Sequence, residues 1–165
     1  GLYNMASSQG KEAEMLFSAT TMDGTDLIIN ADEEVLFTLE DGWMTLLSED
    51  RMIIHDNNGN GACLYDMAGN QINEKEYEYM HTLYMESTDG MYSQSRLINA
   101  SYTLAGKNLC DLVDSDGNIL IERAKNIQAL SPDRFWVEKG FSQGLMDAEG
   151  NWIYEQSVFA SAADE

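Results

Sequence analysis

The segment Asp56-Asn57-Asn58-Gly59-Asn60-Gly61 matches the first half of a calcium loop of the EF-hand type. In such a loop alternate oxygen-bearing side chains, here Asp56, Asn58 and Asn60, ligate the ion while a glycine sharpens the turn. The second half departs, because Met67 stands where the bidentate glutamate is needed. Its flanks, Arg51-Met52-Ile53-Ile54 and Cys63-Leu64-Tyr65, read as strands rather than helices, so a polar hairpin loop is expected. Asp114 and Asp116 form a second pair that could hold a cation. Weak surface binding of Ca²⁺ by so acidic a chain needs no dedicated site, and no other cofactor is expected.

Other reactive groups are few. His55 and His81 are the two imidazoles, and Cys63 and Cys110 the two thiols, with no CxxC-type spacing for zinc. Both cysteines read as thiols buried on strands. No Gly-x-Ser-x-Gly elbow and no glycine-rich phosphate loop is present. Among 29 acidic residues a pair of carboxylates for glycoside hydrolysis can always be nominated, so the nomination carries little information. The expectation is a protein without catalytic activity, with a hydrolase as the enzymatic alternative.

Aromatic residues supply the remaining chemistry. Trp43, Trp136 and Trp152, with eight tyrosines, could stack on sugar rings. Trp152 and Ile153 are adjacent on an expected strand and so face opposite sides. Ile153 is the better core candidate, which leaves Trp152, with Tyr154, as the ligand-binding pair. Trp136 stands between Phe135 and Val137 and is expected to be buried, whereas His55 is expected to end a strand at the surface.

These residues must be positioned by a chain of 165 residues with 44% hydrophobic and 23% charged content, normal for a folded domain. Nine basic residues give a net charge of -20, which argues against nucleic acid or anionic lipid as a partner. No apolar run reaches the ~20 residues of a membrane helix. The first residues lack the basic stretch and apolar core of a signal peptide, and a start on Gly1 suggests that the native N-terminus is missing.

Internal repetition organises the chain. Asp66-Met67-Ala68-Gly69-Asn70 recurs as Asp114-Ser115-Asp116-Gly117-Asn118 and as Asp147-Ala148-Glu149-Gly150-Asn151. Each copy continues with an aliphatic residue (Ile72, Leu120, Ile153) two places before a glutamate. Each is preceded at two places by a leucine: Leu64, Leu112, Leu145. Asn30-Ala31-Asp32-Glu33-Glu34 keeps the frame in degenerate form. Upstream, Ser48-Glu49-Asp50-Arg51 matches Ser131-Pro132-Asp133-Arg134, implying two units of about 41 residues between them. The middle unit begins less clearly, near Ser87-Thr88-Asp89-Gly90. Gly1-Leu2-Tyr3-Asn4 is similar to Gly144-Leu145-Met146-Asp147, so the chain reads as a slice of a longer array.

Asp-x-x-Gly-Asn is a hairpin device: the carboxylate accepts a backbone N–H two residues on, and the glycine supplies a positive φ. Asp66, Gly69, Asn70, Asp114, Gly117, Asn118, Asp147, Gly150 and Asn151 are therefore assigned to turns. The predicted fold is all-β: tandem antiparallel hairpins of about 35–48 residues per unit, in a solenoid- or propeller-like array. A single domain over 1–159 is expected, with copies near 30–36, 66–75, 114–123 and 147–156, followed by an acidic tail at 160–165. The stretch from Asn73 to Met85 has some helical spacing but is assigned to a strand.

Phe135-Trp136-Val137 followed by Gly144-Leu145-Met146-Asp147-Ala148-Glu149-Gly150-Asn151-Trp152-Ile153 resembles the WG β-repeat family, in copies from Asp26 to Phe159. The aromatic-Gly pair that names the family is absent: Gln143-Gly144, Cys110-Asp111 and Ala62-Cys63 take its place. The resemblance implies a β-hairpin array, often on bacterial proteins, with no shared activity. The functional expectation is an interaction or scaffold module of a cell-surface or secreted bacterial protein, with a carbohydrate-binding module as the alternative. Its partner, protein or glycan, stays open, and exposed terminal strands would favour homo-oligomers.

Overall fold

The computed structural model of the protein describes residues 3–5, 15–57, 61–86 and 92–159. Among them there are strands and turns but no helix: β1 (Tyr3–Met5), β2 (Leu16–Thr20), β3 (Asp26–Ile29), β4 (Val35–Leu39), β5 (Trp43–Ser48), β6 (Arg51–Asp56) and β7 (Gly61–Asp66). Then follow β8 (Tyr79–Glu86), β9 (Tyr92–Leu104), β10 (Lys107–Val113), β11 (Ile119–Ser131), β12 (Arg134–Lys139), β13 (Ser142–Asp147) and β14 (Trp152–Ser157). The expected all-β, antiparallel class is what the chain adopts. Three sheets form, each a meander in chain order: β1 to β4, β5 to β7, and β8 to β14.

The Asp-x-x-Gly-Asn segments close their hairpins identically. In each the aspartate N–H donates to the carbonyl of the residue four on, and the glycine N–H donates back to the aspartate carbonyl (Asp66, Asp114, Asp147). One carboxylate oxygen accepts the N–H groups two and four residues on, at 2.8–3.0 Å in all three. The glycines sit at φ of 87°, 81° and 80°, where a Cβ is penalised. Asn30 makes the same bonds through its amide oxygen to Asp32 and Glu34, and Glu33 takes the glycine position at φ 64°. A turn with the same backbone bonds, Thr21 to Thr25 with Gly24 at φ 90°, has a threonine hydroxyl in place of the carboxylate. Having no carboxylate at its head, it escaped the sequence pattern.

After the Asn30, Asp114 and Asp147 turns the returning strand carries a one-residue bulge. Leu36, Leu120 and Ile153 are skipped by the registers on either side of them. The aliphatic position of the motif is thus the bulged residue. The Ser48 and Ser131 turns also match: each serine hydroxyl donates to the aspartate two on, and Arg51 and Arg134 donate to the carbonyls of Asp50 and Asp133.

Of the Asn73–Met85 stretch, the strand begins only at Tyr79. Before it the chain runs irregularly along β7, with bridges from Gln71 to Tyr65 and from Tyr77 to Ala62. The Asn73 side chain replaces backbone there, accepting Leu64 N–H and donating to the Lys75 carbonyl, both at 2.7 Å.

The long strand β11 pairs with β10 up to Ala124 and with β12 from there on. At the bend Arg123 adopts φ 57°. The fully buried Asp111 holds it, accepting Arg123 N–H at 2.9 Å and the Tyr102 hydroxyl at 3.2 Å. A buried carboxylate must be hydrogen-bonded to be tolerated, and here it stabilises an otherwise costly backbone.

Where one domain over 1–159 is expected, the chain divides into two compact units, Gly1–Tyr79 and Met80–Glu165. In the first, Leu16 and Ile28 of one sheet pack with Met44, Leu46, Met52 and Ile54 of the other. In the second, Leu112, Ile121, Ile127, Phe135, Val137 and Met146 of the seven-stranded sheet form one buried cluster. The segments 87–91 and 160–165, which hold the start of the middle unit and the acidic tail, lie outside the described residues.

Candidate functional site

Across β11 to β14 the second unit leaves one face of its sheet to solvent, and register places the side chains on it. Phe135 and Val137 point into the core, so Trp136 between them points outward. Trp136 pairs with Leu145, Leu145 with Tyr154, and Gln128 lies on the other side of Trp136. These four residues make one row across β11 to β14, with Trp136 and Leu145 half-buried and Tyr154 54% exposed. The next row on the same face is Asn126, Glu138, Gln143 and Gln156. The row on the opposite side is Arg134 with Asp147. An aromatic–aliphatic stripe is therefore bordered by three amides and Glu138 on one side and by an Arg–Asp pair on the other.

This reverses three expectations. Trp136 is not buried: its neighbours Phe135 and Val137 fill the core. Trp152 packs against that core, and Ile153, expected inside, is 50% exposed. The bulge explains the exchange, since Trp152 pairs with inward-facing Met146 while Tyr154, past the skipped Ile153, pairs with outward-facing Leu145. Of the expected ligand pair, Tyr154 lies on the open face and Trp152 lies beneath the sheet. Alternation around Phe135 and Val137 was the signal that could have placed Trp136 outside.

The first unit holds two other features. A cleft of about 230 Å³ opens between β4 and the β6–β7 hairpin, with Phe37, Leu39, Ile54 and Tyr65 as apolar walls and Asp56 and Cys63 at its rim. Burial pushes the Cys63 thiol up, against the lowering effect of a hydrogen bond with Tyr65, and the Tyr65 phenol is raised by the same burial. The thiol is therefore protonated near neutral pH and a poor nucleophile. Cys110, in the second unit, is pushed up to about 11 by burial. Both cysteines are free, as expected of thiols on strands, though Cys63 is only half-buried.

His55, expected at the surface, is buried because it is sandwiched by aromatic rings. Its ring stacks on Trp43 at 4.5 Å and 9° and meets Tyr79 at 4.7 Å, while both outer rings remain over 40% exposed. Gly42 lets the chain pass, since a Cβ there would lie 2.0 Å from the His55 carbonyl oxygen.

Of the proposed calcium ligands, Asp56 borders the cleft, and Asn58 and Asn60 lie outside the described residues. Among the described residues no group of three potential metal ligands converges. The turn carboxylates are engaged in their own loops. The Asn70 side-chain amide, then its backbone N–H, holds Asp66 below the usual carboxylate range, and the Asn151 N–H does the same first for Asp147.

Comparison with known proteins adds a family and two distant likenesses. A protein of unknown function from Bacteroides caccae is 15% identical over 88% of this chain and 58% of its own, with a TM-score of 0.37. BamB from Moraxella catarrhalis is 12% identical over 94% of this chain and 48% of its own, with a TM-score of 0.38. The chain thus spans about half the length of each. No curated protein is significantly similar in sequence. A family model described as a domain of unknown function, DUF5046, matches residues 18–165, and the chain belongs to that family.

Proposed function

We propose that this chain is a non-catalytic recognition module, a tandem array of β-hairpins of the WG-repeat kind whose contact surface is the outer face of β11 to β14. The observation that carries this reading is the row Gln128, Trp136, Leu145 and Tyr154, held side by side on the sheet with Tyr154 exposed and Trp136 half-buried. Large aromatics on a rigid scaffold offer much contact area at little entropic cost. The carboxylates of the turns are occupied in shaping hairpins, which suits a scaffold better than acid–base chemistry. A cell-surface or secreted setting belongs to the same reading.

Oxidative footprinting tests it. The protein is exposed to hydroxyl radicals alone, and again with the polysaccharide and the protein fractions of a bacterial cell-surface extract. Protection of Trp136 and Tyr154 in either fraction, with Trp43 unchanged, is the expected result. Equal oxidation of Trp136 and Tyr154 in all samples overturns the assignment of this face.

A further inference from the structure

We infer that the ligand of the outer face is a neutral oligosaccharide whose rings lie along the Trp136–Leu145–Tyr154 row; the inference rests on that face being the contact surface. Three features select this chemistry. Neighbouring strands are about 4.8 Å apart, so Trp136 and Tyr154 stand roughly 10 Å from each other with Leu145 between them. That is an elongated, low apolar track, fit for the C–H faces of successive sugar rings rather than for one deep-set group.

The border of the track is the second feature. Gln143 and Gln156 flank it on one side with Asn126 and Glu138, and Gln128 continues it. An amide side chain both donates and accepts, as does a sugar hydroxyl, so a row of amides matches a row of hydroxyls without fixed polarity. Charge is the third. Glu138 and Asp147 lie on the same face, and the chain carries a net charge of -20, so an anionic polysaccharide is repelled. Beside the stripe Arg134 stands opposite Asp147 and offsets its charge, which favours an uncharged ligand over a cationic peptide.

The test is affinity electrophoresis of the intact chain in native gels containing neutral polysaccharides (a β-glucan, a xylan, a galactomannan) or anionic ones (alginate, polygalacturonate). Retardation by at least one neutral polysaccharide is expected, with Kd raised about tenfold or more by Trp136→Ala or Tyr154→Ala, a loss typical of one stacking contact. Gln143→Ala and Gln156→Ala, which remove only amides, should weaken the same interaction while leaving circular dichroism unchanged. Trp43→Ala, in the other unit, should leave it intact. No retardation by any neutral polysaccharide, retardation by anionic ones alone, or retardation indifferent to Trp136 and Tyr154 overturns the inference. If Trp136 and Tyr154 are nonetheless protected by the protein fraction in footprinting, the module stands and only the sugar falls.

Discussion

The hairpins β6–β7 and β12–β13 share a Ser-x-Asp-Arg entry turn and an Asp-x-x-Gly-Asn exit turn, and in both the arginine pairs with the exit aspartate. Their surroundings differ. Ile53 and Leu64, which pair across β6 and β7, are fully buried, and β6 is buried on both faces from Met52 to His55. The corresponding Trp136 and Leu145 are only half-buried, and β12 is buried on one face. The repeated residues thus specify how the chain turns and pairs. The residues between them decide which faces are covered.

Truncating the outward position should break the likeness most sharply. Ile53→Ala is expected to cost about 2–5 kcal/mol by denaturant unfolding, and Trp136→Ala within about 1 kcal/mol, because only the first opens a buried cavity. Equal costs would mean that the outer face of β12 is covered in solution. The glycines should restore the likeness. A Cβ on Gly61 would lie 2.0 Å from the Tyr77 carbonyl oxygen, and one on Gly144 2.0 Å from that of Tyr154. Gly61→Ala and Gly144→Ala should each cost about 2–3 kcal/mol, with faster hydrogen exchange in the strand or bridge opposite.

Smaller effects separate the turns. Gly117→Val should destabilise by about 1–2 kcal/mol, since a β-branched residue is forced to φ 81°. Glu33→Gly should stabilise by up to about 1 kcal/mol by relieving the same conformation, and an unchanged melting temperature for both would contradict the shared geometry. The smallest effect is on pH. Asp66 and Asp147 are lowered from 3.8 in the folded chain, so their contribution is full above about pH 5 and is lost as pH falls through their folded values. Asp66→Asn and Asp147→Asn should each flatten the acid limb of stability slightly, and by similar amounts.

Much of this architecture is legible in the sequence because turns are local. Asp66, Asp114, Asp147 and even degenerate Asn30 announce their hydrogen bonds within five residues. Thr21 does not, since a hydroxyl can do the carboxylate's work. The facing of side chains is less legible, because a one-residue bulge at Ile153 sends Trp152 and Tyr154, which simple alternation would put on one face, to opposite faces. The aromatic sandwich around His55 joins Trp43 and Tyr79 from distant parts of the first unit, a pairing that no local pattern encodes. Asp111 did leave a trace: an acid inside the apolar run Leu109-Cys110-Asp111-Leu112-Val113 demands a buried partner, and the bend of β11 provides it.

That bend carries a consequence for how the second unit comes apart. One continuous strand serves two hairpins, so neither can be peeled away or inserted as a cassette without exposing the other's hydrogen bonds. Tension applied along β11 would load both ladders at once, and the Asp111–Arg123 contact sits where the load divides. The hinge of the sheet is also its rivet. Lengthening of the chain by natural variation is therefore better tolerated at hairpin tips such as Gly106 and Gly140, where added atoms meet open space.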